Sequence, residues 1–227
     1  AYTSFDRTGY LFSCTGNFKQ NLEILLDFVQ HPYFTQQTVE KEQGIIGQEI
    51  DMYKDAPDWE VMFNCLRTMY HNLPVRVDIA GTQESIAKIS AETLYGCYDN
   101  FYNLHNMVLA VAGNVSVDEV IEAADKMLKP VDGKMAQRKV IEEPKEVFDS
   151  YVEEKLSVAT PQFMFGFKES WDTPERTAKE EVTMEILLDM LSGPSSELYR
   201  RLFDEKLINN SFGFEYFTGF GYSCVLF

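Results

Sequence analysis

The sequence predicts an α+β fold built as two units. Strand-like apolar stretches and segments with the 3.6-residue helical period occur together on both sides of a poorly periodic region. The 227 residues suffice for one large domain or two small ones, and 45% hydrophobic against 25% charged residues argues for packed cores rather than disorder. The units are expected at 1–130 and 149–227, joined by a linker over 131–148 that holds Gly133, Pro144 and mixed charge.

In chain order, Ala1–Phe5 and Thr8–Thr15 read as two strands joined near Asp6-Arg7. Gly16-Asn17 is a turn signal, and Leu22, Leu25, Leu26 and Val29 then recur at helical spacing until His31-Pro32 stops the run. A helix over 36–54 follows. Asp55-Ala56-Pro57-Asp58 closes it and opens another, carrying Val61, Met62, Cys65, Leu66 and Met69. Pro74–Ala80 is expected to be extended, and Ser90 to cap a helix from Ala91 to about Tyr102. Met107–Ala112 has the continuous apolar character of a buried strand, and Ser116 starts a helix with Val120, Ile121, Ala124 and Leu128. Beyond the linker, Tyr151–Val158 and Phe163–Phe167 read as strands. Pro174 begins a helix through Leu191, Ser195-Ser196 starts another to about Leu207, and 212–227 form a final strand pair.

Residues 36–54 carry the chemistry. Val39, Ile46, Ile50 and Tyr53 define one helix face. Glu42 and Glu49 are expected to intrude on that same face, two turns or roughly 10 Å apart. Carboxylates on a core-facing stripe are costly unless a cation or hydrogen-bond donors meet them. Two readings stand side by side: both side chains snorkel to the stripe's edge, or one of them binds a metal, since divalent cations accept carboxylate oxygen.

Composition narrows the function. A formal charge of −16 without clustered Lys or Arg excludes nucleic-acid binding. No apolar run reaches the length of a membrane span. Cys14, Cys65, Cys97 and Cys224 form no C-x-x-C pair and sit among apolar neighbours, which predicts reduced, buried thiols and a cytoplasmic location. Ala1 opens inside an expected strand and Phe227 ends inside an apolar run, so both ends read as cut from something longer.

The chain resembles the insulinase/pitrilysin zinc metallopeptidases, the inverzincins with an H-x-x-E-H motif. The resemblance lies in the order of several pieces. These are Ala1–Phe12, Asn21–Phe28 with Pro32-x-Phe34, Val39-Glu-Lys-Glu42 with Ile45 and Glu49-Ile50, the run from Gly81 to Gly113-Asn114, and Gly193–Leu202. It implies an α/β sandwich, with an antiparallel-rich sheet and helices on one face. The C-terminal part of one such domain is then followed by the N-terminal part of a second. Carried over by residue, it makes Glu42 a zinc ligand and Ala1, Tyr2 and Thr3 the strand along which a peptide substrate lies. Glu49 is expected to orient the ligand rather than bind the metal. An accessory acid that some members carry seven residues before the ligand is replaced here by Thr35.

No H-x-x-E-H occurs, and His31, His71 and His105 are isolated. The resemblance places that motif upstream of Ala1. A tetrahedral catalytic zinc needs three protein ligands, so this stretch alone is expected neither to hold zinc nor to cleave peptides. In the intact protein the resemblance implies zinc-assisted hydrolysis, with an acidic surround favouring basic or unfolded peptides. Two other readings compete. One is a non-catalytic paralogue serving as assembly partner or scaffold, as a homo- or heterodimer. The other is an acidic protein that binds a partner through aromatic surfaces.

Overall fold

A computed structural model describes residues 1–129, 133, 135–169 and 176–227. The described residues form two compact units, one of residues 1–48 and 82–139, the other of residues 49–81 and 140–227.

The first unit opens with a short antiparallel ladder, β1 (Tyr2–Thr3) on β2 (Thr8–Gly9), in the register Tyr2↔Gly9 and Thr3↔Thr8. The Ser4 amide closes the turn on the Arg7 carbonyl at 2.8 Å. Gly9 lies beneath the exposed Tyr2 ring, which a Cβ there would push aside. The pairing is far shorter than the expected strands Ala1–Phe5 and Thr8–Thr15. Helix α1 (Phe18–Gln30) ends where expected, at His31 before Pro32. It packs Leu22 and Leu26 against Ala123 of α6 (Val117–Met127), with Phe12, Phe18, Val120, Met127 and Leu128 around them. Helix α5 (Ala91–Phe101) is capped by the Ser90 hydroxyl, which accepts from the Thr93 amide at 3.1 Å. The Tyr98 hydroxyl of α5 donates to the Val29 carbonyl at 2.8 Å.

Helix α2 (Gln36–Lys54) runs from the first unit into the second. In the second unit, α3 (Pro57–Met69) starts on a proline, with Asp58 and Glu60 in its first turn and Arg67 in its last, all suited to the helix dipole. Its Phe63 and Leu66 are fully buried. The sheet of this unit runs β3 (Gly166–Lys168), β5 (Tyr222–Leu226), β4 (Glu215–Gly219), all antiparallel. As the central strand, β5 is buried continuously from Ser223 to Leu226 instead of alternating. The two-residue loop Phe220-Gly221 closes the β4–β5 hairpin, and Gly221 supplies the left-handed backbone at φ 84°. Helix α7 (Ala178–Ser192) begins in a capping box between Thr177 and Glu180. Helix α8 (Glu197–Asp204) begins on the Ser196 hydroxyl. Pro174, where the sequence predicts the α7 start, lies outside the described residues.

Several expectations are corrected. Met107–Ala112 is not a strand: Val108, Leu109 and Val111 are exposed, and the segment has no ladder partner among the described residues. Tyr151–Val158 likewise forms no ladder. Apolar character raises the tendency to pair but cannot supply a neighbour. Pro74–Arg76 is a turn of 3₁₀-helix, not extended chain. The expected Phe163–Phe167 strand is assigned only from Gly166, although Phe165 and Phe227 exchange backbone hydrogen bonds at 3.1 and 2.9 Å. Of the four free thiols, Cys14 and Cys97 are exposed, Cys65 is half-buried and only Cys224 is buried, where desolvation pushes its thiol up to about 12.

Candidate metal-ligand helix

Helix α2 begins at Thr35, whose hydroxyl accepts from the Thr38 amide at 3.1 Å while its amide donates to Thr38 Oγ1 at 3.0 Å. The position that lacks the accessory acid is thus spent on starting the helix. A Thr-x-x-Thr pair before an apolar run is the sequence signal of such a cap.

Two polar contacts set which face of the helix is buried. Gln43 donates to the Ile86 and Ile89 carbonyls, both at 2.8 Å. These carbonyls flank the end of α4 (Gln83–Ile86), and Gln83 reaches back to the Gly47 carbonyl at 2.8 Å. Gly47 is buried beneath that side chain, where a Cβ would come within 2.8 Å of it. Val39, Gln43, Ile46, Gly47, Ile50 and Tyr53 therefore form the covered stripe, and Glu42 and Glu49 stand at its edge, both exposed. On a helical wheel they lie about 60° and 80° from Val39, on the side away from Gln43 and Gly47. Of the two readings the sequence left open, the structure shows the one at the stripe's edge: Val39, Ile46 and Tyr53 span only about 40°, and both acids fall just beyond Tyr53.

Glu42 makes no hydrogen bond or ion pair among the described residues. Glu49 accepts the Tyr53 hydroxyl at 2.7 Å, and that hydrogen bond, with a smaller part from burial and from the charges of Glu49 and Asp78, raises the Tyr53 pKa. Tyr53 stacks on Trp59 at 4.3 Å between ring centroids, 13° from parallel, and Trp59 Nε1 donates to Asp78 Oδ2 at 2.6 Å. Glu49 is therefore the outer end of a chain that fastens the last turn of α2 to α3. The sequence offered no hint of the Trp59–Asp78 bond, since the partners are nineteen residues apart with no motif between them.

At the other expected contact, Ala1, Tyr2 and Thr3 are exposed, and the β1 edge away from β2 is unpaired among the described residues. The histidines are not brought together into a site. His31 Nδ1 lies 3.0 Å from Asp27 Oδ1 on the surface, His71 is half-buried against Phe148, and His105 is exposed. Among the described residues no three His, Cys, Asp or Glu side chains gather as a metal site. Glu42 suits zinc as a single oxygen donor, but the donors present do not amount to a tetrahedral set.

Residues 1–83 match the family model "Insulinase (Peptidase family M16)", and residues 88–226 match "Peptidase M16 inactive domain". The chain belongs to peptidase family M16. It is 43% identical over 232 residues to the uncharacterized zinc protease YmfH of Bacillus subtilis, which covers 99% of this chain and 54% of that protein. Cytochrome b-c1 complex subunit 1 of Mus musculus is 29% identical over 133 residues, 58% of this chain and 28% of its own length. The crystal structure of an M16-like peptidase from Alicyclobacillus acidocaldarius superposes with a TM-score of 0.86 at 38% identity, covering 93% of this chain and 51% of that one. The M16 chain thus has an α+β fold and spans about half the length of the bacterial relatives it matches. No helix among its described residues is long and apolar enough to cross a membrane.

Proposed function

We propose that this M16 chain is the part of a zinc metalloendopeptidase that contributes the carboxylate ligand, Glu42. Two histidines and a general-base glutamate of an H-x-x-E-H motif would come from residues outside these 227. The observation that carries the reading is Glu42 itself: an exposed carboxylate with no partner among the described residues, on a helix pinned through Gln43 and Gly47, inside the segment matched by the insulinase model. A helix held this way keeps a ligand's direction fixed before metal arrives. Bound zinc would supply an acidified water as the nucleophile. The open edge of Ala1–Thr3 suits a peptide added as a further strand, held by backbone hydrogen bonds with little sequence selectivity. Glu49, bound to the Tyr53 hydroxyl, would steady the helix rather than touch metal. By itself the 227-residue chain is proposed to be inactive. Four free thiols, two of them exposed, suit a reducing compartment such as the cytoplasm.

The test is metal content. Protein extended upstream to include a complete His-x-x-Glu-His should bind zinc stoichiometrically and cleave unfolded peptides. Glu42→Ala should lose most of both while keeping the wild-type circular dichroism. An extended protein with an intact motif that stays metal-free would end this reading. A second reading, a non-catalytic assembly partner, draws on the match of residues 88–226 to an inactive-domain model and on the relative named as a complex subunit. It gains if the upstream motif is degenerate and the protein co-purifies in stoichiometric complex with an intact M16 peptidase.

A further inference from the structure

Residues 142–149 have no regular secondary structure, yet they are fastened at several points. The Asn72 side chain donates to the Glu142 carbonyl at 2.9 Å. The Glu143 carboxylate accepts three successive backbone amides: His71 at 2.8 Å on Oε1, and Asn72 and Leu73 at 2.8 and 3.1 Å on Oε2. Lys168, at the end of β3, donates to Glu143 Oε1 at 2.7 Å and to the Pro144 and Glu146 carbonyls at 2.6 and 3.1 Å. Both side chains are buried, 9% exposed for Glu143 and 5% for Lys168. Phe148 sits under the Arg76 guanidinium at 5.0 Å and edge-on to His71 at 5.3 Å, and the Asp149 amide donates to the Thr68 carbonyl at 2.9 Å.

Two features set this apart from an ordinary ion pair. The amides of residues 71–73 follow the C-terminus of α3, and their carboxylate comes about seventy residues along the chain. Three amides converging on one carboxylate, backed by a buried ammonium, make an anion nest. The nest belongs to the segment matched by the insulinase model, whereas Glu143 and Lys168 belong to the segment matched by the inactive-domain model. Moreover, the residues that carry Glu143 are otherwise exposed, and besides Glu143 itself they are held by the two Lys168 bonds to the Pro144 and Glu146 carbonyls, the Phe148 contacts and single hydrogen bonds at the two ends.

We propose that the His71–Leu73 amides and the Lys168 ammonium form a carboxylate receptor, and that residues 142–149 are a detachable strap closed by inserting Glu143 into it. Closed, the strap ties the segments matched by the two family models to each other. Open, it leaves a receptor for a carboxylate and frees the chain around Lys145. This inference does not depend on the peptidase reading, because neither zinc nor substrate enters it.

The experiment uses the full 227-residue chain, amide hydrogen exchange and limited trypsinolysis after Lys145. Loss of hydrogen bonds to a charged acceptor in Glu143→Ala should raise exchange at His71, Asn72 and Leu73, and cleavage at Lys145, by about tenfold or more. Phe63 and Leu66 amides in α3 should stay protected. Sodium acetate, compared with sodium chloride at equal ionic strength, should restore protection at residues 71–73 in Glu143→Ala but leave Lys145 cleavable, since acetate fills the receptor without holding the strap. It should not do so in Glu143→Ala with Lys168→Met. The charge-swapped pair Glu143→Lys with Lys168→Glu should fail to close the strap, because an ammonium accepts no amide hydrogen bonds. Closure by the swapped pair, or no acetate effect, would overturn the receptor. If Glu143→Ala loses protection throughout α3, the milder Glu143→Gln decides. Strap exchange raised about threefold with α3 intact supports the proposal, and global loss there too refutes a detachable strap.

Discussion

Glu143 shows how one side chain's environment sets its titration. Burial alone would push its carboxyl up, but the Lys168 hydrogen bond, the His71 and Asn72 amides and the Lys168 charge outweigh that and hold it below the usual glutamate range. A carboxyl lowered on folding stabilises fully above its unfolded value, about 4.3, and the contribution fades as pH falls through the lower folded value. Urea midpoints of wild type and Glu143→Gln should therefore differ most above about pH 5 and converge in stronger acid. A difference that stays constant across the acid range would contradict the assignment. None of this was legible, for Glu143 reads as one charge among many in a segment without periodicity. Glu42 and Glu49 were legible as unusual acids on an amphipathic helix, with a place at the stripe's edge as one of two readings. Gln43 and Gly47, which a count of apolar residues leaves out, widen the covered stripe on the opposite side and decide for the edge.

At the scale of elements, helices were easier to read than strands, and the reason is physical. A helix satisfies its backbone within itself, so its limits are set by local residues: His31 before Pro32 ends α1, Pro57 opens α3, and Ser90, Ser116 and Ser196 open α5, α6 and α8. A strand needs a neighbour, and Met107–Ala112 has none among the described residues despite its composition. The two kinds of helix support differ in size. Phe63→Ala removes a fully buried ring from α3 and should cost about 3–5 kcal/mol, whereas Thr35→Ala removes one cap from α2 and should cost about 1 kcal/mol. Urea denaturation followed by circular dichroism measures both. Equal costs would show that one cap on α2 matters as much as a fully buried ring in α3, against this ranking of the two kinds of support.

Across the whole molecule, a net charge of −16 coexists with a large exposed apolar surface. On α7, Val182, Ile186, Leu187, Met190 and Leu191 are all exposed while Leu188 alone of its large apolar side chains is buried, and Phe163 and Phe165 before β3 and Phe167 within it are exposed. These side chains spread over about half the helix's circumference, among Lys179, Glu180, Glu181, Glu185 and Asp189, and a monomer seldom leaves so much apolar surface open to water. Like charge on every copy opposes association, yet it acts through solvent and is screened over about 10 Å at 0.1 M salt. Burial of apolar side chains has no such dependence on ionic strength. The isolated chain should thus self-associate with rising concentration, and more strongly at high salt than at low, the opposite of an interface built on ion pairs. Ile186→Lys with Met190→Lys should weaken the association by about tenfold or more, since each removes apolar contact and puts an ammonium group where association would strip its water. Sedimentation velocity over a concentration series at two salt levels reads this directly. A monomer throughout, or an association that salt weakens, would show that these side chains are not what brings copies together.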